Sequence, residues 1–287
     1  WLRGWTAPGP ARRRLAIAAL VLLSLLPVLY VLDRTADARR NIVYWDEFDT
    51  ALALILKLKE GQPAGSFLKD LFAINNEHRM VTSRLLFATS YWLTGTINFS
   101  AIDVIGNATL FGLCALLIAT AGSTLRRVRL AVLLSLALFQ LEHYENFLWS
   151  GASIDHFQVV MLMAGAIVAL SRGTPAAVLA GGFLGTLATF TLAHGLAIWP
   201  LGAAMLWFAR PRRGLVLWGA IAVLAIGGFF TGFRTNPSEK FVALSIEGVR
   251  QVLHYWLSII GAAPALGSPA WKPWFGAALL LLLGYAM

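Results

Sequence analysis

An uncharged apolar run near the start of the chain constrains its fold more than any other feature. Leu15–Leu32 contains no charged side chain, and about 20 residues of helix are needed to cross the hydrocarbon core of a bilayer. Further apolar runs follow, and 58% of the 287 residues are hydrophobic while only 13% are charged. A water-soluble domain rarely has such a composition. The sequence therefore predicts an all-α fold, a polytopic transmembrane helical bundle.

Basic residues predict the orientation of this bundle. Clusters such as Arg12–Arg14, Arg126–Arg129 and Arg210–Arg213 lie at the ends of apolar runs, which is typical of cytoplasmic loops under the positive-inside rule. Asp33 and the residues after it are then outside, and the net charge of +9 reflects topology rather than nucleic-acid binding. We expect no nucleic-acid partner, and a multi-pass protein of the bacterial inner (plasma) membrane with an extracytoplasmic active face.

We predict a single transmembrane domain over residues 1–287 with three long outer segments. The first, 33–99, contains an amphipathic helix from about Asp46 to Glu60 and a segment at 80–93 that dips into the bilayer rather than crossing it. The other two are 142–156 and 234–255. The sequence opens on Trp1 and stops inside an apolar run, so we expect the C-terminal part of a longer protein to be missing.

The acidic cluster Trp45-Asp46-Glu47-Phe48-Asp49 directly follows the first predicted span. Carboxylates this close to a membrane must stay solvated, paired or metal-bound. Asp46 or Glu47 could act as a general base toward an acceptor or as a metal ligand, with Asp49 in support. The alternative is that these acids only complement the dipole at a helix N-terminus.

A second cluster, Asn75-Asn76-Glu77-His78-Arg79, precedes the dipping segment. Arg79 or Arg84 could hold a phosphate group, and His78 could bind phosphate or a metal ion. The alternative is a solvated anchor at the membrane interface.

Two further outer segments carry candidate residues. In 142–156 these are Glu145, Asp155 and His156, although Asp155 can equally be a plain helix cap. The aromatic residues of that loop fit an interfacial belt. His194 follows a predicted span, where ionisable groups often contact ligands, but a lone histidine beside glycine is a weak signal.

Taken in order, these features resemble the GT-C superfamily of integral-membrane glycosyltransferases, and within it the branch of protein O-mannosyltransferases and lipid A aminoarabinose transferases. The resemblance runs from Leu15 to about Phe233. The acidic motif of the family after span one is matched by Trp45–Asp49, and its dipping segment ending in glycine by Trp92–Gly95. Its long helix ending in basic residues is matched by Ile102–Arg129, and its outer loop ending in an Asp that begins a helix by Ser153–Phe157. Its turn before an apolar stretch ending in proline is matched by Ala193–Pro200, with His194 where the family often has lysine.

The resemblance implies transfer of a sugar from a polyprenyl-phosphate donor to a glycan, lipid or protein acceptor at the extracytoplasmic face of the lipid bilayer. It assigns catalysis to Asp46, Glu47 and Asp155. Donor-phosphate binding falls to Arg79, Arg84, His194 and His78, and support or metal binding to Asp49, Glu145 and His156. Some family members use a divalent metal ion and others do not, so the cofactor stays open.

Two other classes of function remain open at this point. A polytopic transporter or lipid flippase would carry ionisable residues mid-span along a path. A non-catalytic membrane scaffold would need no cluster of acids, histidines and arginines on one face.

Overall fold

The computed structural model describes residues 9–141, 144–208, 214–233, 245–261 and 269–286. These residues form helices joined by turns, and no β-strand occurs among them. The all-α prediction is confirmed for this part of the chain. Two compact units are present, residues 1–233 and residues 234–287.

Within the first unit, the helices in chain order are α1 (Pro10–Ala38), α2 (Ala53–Lys59), α3 (Ala64–Leu71), α4 (Val81–Thr94), α5 (Phe99–Thr120), α6 (Thr124–Leu138), α7 (Tyr144–Leu148), α8 (Ser150–Leu170), α9 (Pro175–Thr191), α10 (Ala193–Phe208) and α11 (Gly214–Phe230). A π-helical turn, Phe48–Leu52, leads into α2, another lies within α8 at Ser153–Phe157, and α10 begins with a 3-10 turn, Ala193–Ala197. The second unit contains α12 (Ile246–Ile260) and α13 (Lys272–Ala286), where the backbone of Leu257 lies against Gly276.

Three helices, α1, α5 and α8, are long and apolar enough to cross a membrane. Their most apolar windows have mean hydropathies of 2.7, 2.0 and 1.7. In α1 only 6% of that window is buried against the rest of the protein, so most of its leucines are exposed and available to contact lipid. The membrane character predicted from sequence is therefore supported, while the number of spans stays a prediction.

Contacts between helix ends bring several elements together at one end of the first unit. Arg39, just after α1, donates from Nε to Asp103 Oδ2 in the first turns of α5 at 2.6 Å. The hydroxyls of Thr82 in α4 and Thr191 at the end of α9 are 2.8 Å apart. Segments 39–47 and 72–80, which carry two of the predicted clusters, are held at this end.

Two buried tryptophans connect α9, α10 and α11. Trp199 donates from Nε1 to Thr189 Oγ1 at 2.9 Å, and Trp218 donates from Nε1 to the carbonyl of Trp199 at 3.0 Å. Gly202 lies against the ring of Trp218, where a Cβ atom would collide with it. Since both indole N–H groups are paired and both rings are buried, this core fixes the turn that carries His194.

The amphipathic helix predicted at Asp46–Glu60 is present as the π-helical turn followed by α2. Gly61 ends it with a φ of +78°, a conformation that glycine adopts without a steric penalty. Its buried face includes Ala51, Leu54 and Ile55, whereas Phe48 and Leu56 are more than half exposed.

The dipping segment predicted at 80–93 forms α4. Its 14 residues span about 21 Å at 1.5 Å per residue, less than the ~30 Å of a bilayer core. Whether it dips into a membrane stays a prediction.

The structure shifts the predicted limits of the outer segments. α1 continues to Ala38, and α8 begins at Ser150, so that Asp155 and His156 lie inside a helix rather than at the end of a loop. Glu142 and His143 of segment 142–156, and residues 234–244 of segment 234–255, lie outside the described residues.

Candidate functional site

Glu47 fastens the acidic segment to the start of α8. Its Oε1 accepts from the Ser150 hydroxyl and, at 2.9 Å, from the backbone N–H of Gly151, while Oε2 accepts from the N–H of Tyr44 at 2.8 Å. The side chain is 1% exposed, and this burial raises the pKa of the Glu47 carboxyl even though the three hydrogen bonds oppose the rise. A helix N-terminus favours a carboxylate acceptor, so this geometry matches the non-catalytic alternative for Glu47.

Asp46, its neighbour, is half-buried and its carboxylate has no hydrogen-bond partner within the described part of the chain. It lies within electrostatic range of His78. Trp45, directly before it, adopts a φ of +45°, which is a strained conformation for a bulky residue and one that structures retain mostly at functional sites.

Three imidazoles from three separate segments gather near one another, and His78 among them is within electrostatic range of Asp46. The ring centroids of His78 and His194 are 6.1 Å apart, and His156 interacts electrostatically with both. His156 and His194 are exposed, whereas His78 is half-buried. We call Asp46, His78, His156 and His194 the acid–imidazole cluster.

The ring of His78 is held in one orientation. Its Nδ1 accepts from the backbone N–H of Ala193 at 3.3 Å, and its Nε2 lies 3.5 Å from Glu77 Oε1. Burial lowers the pKa of His78, and Glu77 only partly offsets this effect. The ring is therefore neutral near pH 7, with its proton on Nε2.

His156 is oriented by a neighbour in α7. Its Nδ1 is 2.8 Å from Asn146 Oδ1, and an amide oxygen can only accept, so Nδ1 carries the proton. In the neutral ring Nε2 keeps its lone pair.

Asp155 lies deeper than this cluster. It is 2% exposed, and its Oδ2 accepts from the Ser83 hydroxyl of α4 at 3.1 Å. Its Oδ1 is buried and has no hydrogen-bond partner among the described residues. Arg84 and Glu47 are both within electrostatic range. A buried carboxylate oxygen without a partner is unusual enough to need an explanation.

Arg79 caps the C-terminus of α11. Its guanidinium donates to the carbonyls of Phe229, at 3.0 and 2.5 Å, and of Thr231, and to Phe72 at 2.5 Å. The side chain is 7% exposed. Binding a donor phosphate, the predicted role, would require these hydrogen bonds to be exchanged.

Arg84 is used in a similar way at the end of α3. Its Nη1 donates to the carbonyl of Arg79 at 2.8 Å and to that of Ala73. Both arginines hold segment 72–80, and hence His78, against the helices.

The remaining predicted site residues are peripheral. Asp49 and Glu145 are exposed, and Glu145 Oε1 accepts from the Tyr144 hydroxyl at 3.3 Å. Among the described residues, no three His, Cys, Asp or Glu side chains are grouped so as to hold a metal ion. Asp49, Glu145 and His156, which the resemblance assigns to support or metal binding, form no such group.

The aromatic stack at this end of the unit was not predicted from the sequence. The rings of Trp45 and Trp149 are stacked, with centroids 6.1 Å apart and planes at 12°, and Tyr44 meets Trp149 edge-on at 5.5 Å. The sequence offered the run of two aromatic residues before Asp46 as a signal, but it gave no indication that Trp149 joins them.

Comparisons with protein-family models, with curated proteins and with solved structures give no match for this chain.

Proposed function

We propose that the protein is a polytopic membrane glycosyltransferase of the GT-C type. In this proposal it moves a sugar from a polyprenyl-phosphate donor to an acceptor at the extracytoplasmic face of a bacterial inner membrane. The observation that carries the proposal is the acid–imidazole cluster: a half-buried carboxylate without a hydrogen-bond partner and three histidines, from four separate segments, at one end of the first unit.

Asp46 is the general base in this proposal. It takes the proton of the acceptor hydroxyl as the acceptor oxygen forms a bond to the anomeric carbon, and the bond from that carbon to the donor phosphate breaks. The polyprenyl phosphate leaves with the electron pair. Asp46 suits this role better than Glu47, because both oxygens of Glu47 already accept hydrogen bonds.

The imidazoles supply hydrogen bonds for the leaving phosphate. A phosphate oxygen accepts from neutral or charged imidazole N–H groups, and donors aimed at developing charge lower the barrier. His194 is exposed to an incoming donor, His156 can donate from Nε2 only when its ring is charged, and His78 holds the turn at Ala193 in place. Arg79 and Arg84 serve as the scaffold of this half of the site.

The positions of the buried acids favour chemistry at an interface over transport. Asp103 and Asp155 lie in the first turns of α5 and α8, two of the three candidate spans, and not near their middles. A transport path calls for ionisable groups at the membrane midplane.

The test is sugar transfer by the full-length protein in nanodiscs, supplied with a panel of polyprenyl-phosphate sugars and with Asp46→Asn compared against wild type. Loss of a general base lowers a rate by about 10²–10⁴-fold, so we expect a loss of that size. Asp37→Asn, at an exposed acid in the last turn of α1, is the matched control and should leave transfer unchanged. Equal rates for wild type and a folded Asp46→Asn variant would remove Asp46 from the mechanism.

A further inference from the structure

A cleft of about 230 Å³ opens between the segment after α1 and the start of α8, and Glu47, the sequence neighbour of Asp46, is among its lining residues. Its lining includes Arg40, Tyr44, Tyr144, Glu145 and Trp149. Drug-sized ligands occupy pockets of about 300–1,000 Å³, so this cleft suits something smaller, on the scale of a single ring.

The aromatic walls of the cleft are held rigidly. Tyr44 meets Trp149 at an interplanar angle of 79°, which makes a corner, and Trp45 stacks on Trp149. The positive φ of Trp45 is a strained backbone conformation for a bulky residue. The ring that stacks on Trp149 therefore belongs to the residue at which this backbone strain occurs.

Charged groups of both signs surround this aromatic corner. Glu145 and the Tyr144 hydroxyl, 3.3 Å apart, lie on one part of the lining, and Arg40 lies on another. A lipid chain would leave these groups without partners, and a cationic ligand would meet Arg40. A neutral ring with an apolar face and a rim of hydroxyls satisfies both the aromatic and the polar lining.

We infer that this cleft binds the pyranose ring of a saccharide, as the acceptor subsite. The C–H face of the sugar packs on Trp149 and Tyr44, and its hydroxyls bond to Glu145 and Arg40. Glu47 lines the cleft, and its sequence neighbour Asp46 is the base. That the bound saccharide is the acceptor rests on the proposed function, while the binding itself does not.

The inference is tested by direct binding of methyl pyranosides of glucose, galactose and mannose to the full-length protein in nanodiscs, followed by calorimetry or saturation-transfer NMR. We expect saturable binding of at least one pyranoside. Tyr44→Ala and Trp149→Ala should each weaken it by about tenfold, the scale of one lost aromatic contact. Trp149 is half-buried, so its replacement by alanine can prevent folding. Tyr44 and Glu145 are exposed, so Tyr44→Ala and Glu145→Gln still test the inference if Trp149→Ala does not fold.

Trp92→Ala is the matched control. Trp92 is an exposed tryptophan of α4 that packs on Phe67 and does not line the cleft, so binding should be unchanged. Absence of saturable binding by every pyranoside, or binding as tight in Tyr44→Ala and Glu145→Gln as in wild type, would overturn the inference.

A parallel assay separates this inference from the proposed function. It measures release of sugar from a polyprenyl-phosphate donor to water with no acceptor present. Donor cleavage without pyranoside binding would leave the transferase and reject the subsite. Pyranoside binding without cleavage of any donor would support the saccharide site and count against the transferase.

Discussion

Asp46 and Glu47 are adjacent carboxylates with different surroundings. Glu47 accepts three hydrogen bonds at the start of α8 and is 1% exposed, whereas Asp46 has no hydrogen-bond partner in the described part of the chain and approaches His78. A buried acid whose oxygens already accept hydrogen bonds orders a loop. An accessible acid without such partners can take a proton. In the proposed mechanism, Glu47 is therefore the positioning residue and Asp46 the catalytic one.

His78 should make the stability of the fold depend on pH. Burial holds its pKa below the ordinary histidine value, although Glu77 and Asp46 favour the charged ring and His194 opposes it. Since the folded state favours the neutral ring, this contribution is present above about pH 6.5 and is lost as the pH falls through the lowered pKa. We expect the melting temperature of wild type to drop further on acidification than that of His78→Gln.

Gln is the appropriate replacement because its amide oxygen can still accept from the Ala193 N–H. Melting curves of both proteins in the same detergent, between about pH 8 and pH 5 around the ordinary histidine pKa, measure the difference. Superimposable pH profiles would show that His78 does not titrate differently in the folded state.

At this scale, the sequence selected the four residues of the acid–imidazole cluster as candidates, but it indicated neither that these four gather nor what each contacts. Asp46, His78, His156 and His194 were selected because ionisable groups at a membrane boundary are costly without a role. All partners of Arg79 are backbone carbonyls, and apart from that of Phe72 they lie 149–152 residues away. Every residue has a carbonyl group, so no side-chain pattern could indicate this cap.

Among the elements, the crossing of α5 and α8 sets the position of Asp155. A Cβ atom at Gly106 would overlap Ser153 Oγ and lie 2.7 Å from the backbone nitrogen of Ile154. The π-helical turn Ser153–Phe157 begins at this contact. Close approach of the two helices therefore directs Asp155 toward Ser83 of α4.

Gly106→Ala should destabilise the protein by about 1–3 kcal/mol, the usual cost of overpacking, because the added Cβ would collide with the start of the π-helical turn. Gly112→Ala is the control on the same helix. There the added Cβ would meet only the flexible end of Met161, with Sδ at 2.8 Å. Chemical unfolding in detergent measures both, and a Gly106→Ala variant as stable as Gly112→Ala would contradict the tight crossing.

The elements themselves were more predictable than their ends. The apolar run Leu15–Leu32 predicted α1, and Gly61 predicted the end of the amphipathic helix. Both signals are local, because the length of an apolar run and a glycine after a helix are read directly from the sequence. The start of α8 at Ser150 was missed, since Ser150 and Gly151 are weak helix formers. The Ser150 hydroxyl and the Gly151 N–H both donate to the Glu47 carboxylate, which is about a hundred residues away in the sequence.

For the whole molecule, the central feature is that the ends of several helices in the first unit meet at one site. The Arg39–Asp103 pair, the Glu47 contacts at Ser150 and the Arg79 cap join segments far apart in sequence. The membrane character was predictable from composition, because apolar residues outnumber charged ones so strongly. The gathering of the site was expected only from the order of outer segments.

The most direct test of the central claim follows both parts of one donor molecule. A polyprenyl-phosphate sugar carrying ³H in the sugar and ³²P in the phosphate is supplied to the full-length protein in proteoliposomes, with acceptor-rich membrane extract present. The account predicts that the ³H label moves to acceptor while ³²P stays with the lipid. If both labels instead stay on intact donor that has moved from one leaflet to the other, sugar transfer is contradicted and the protein is a flippase.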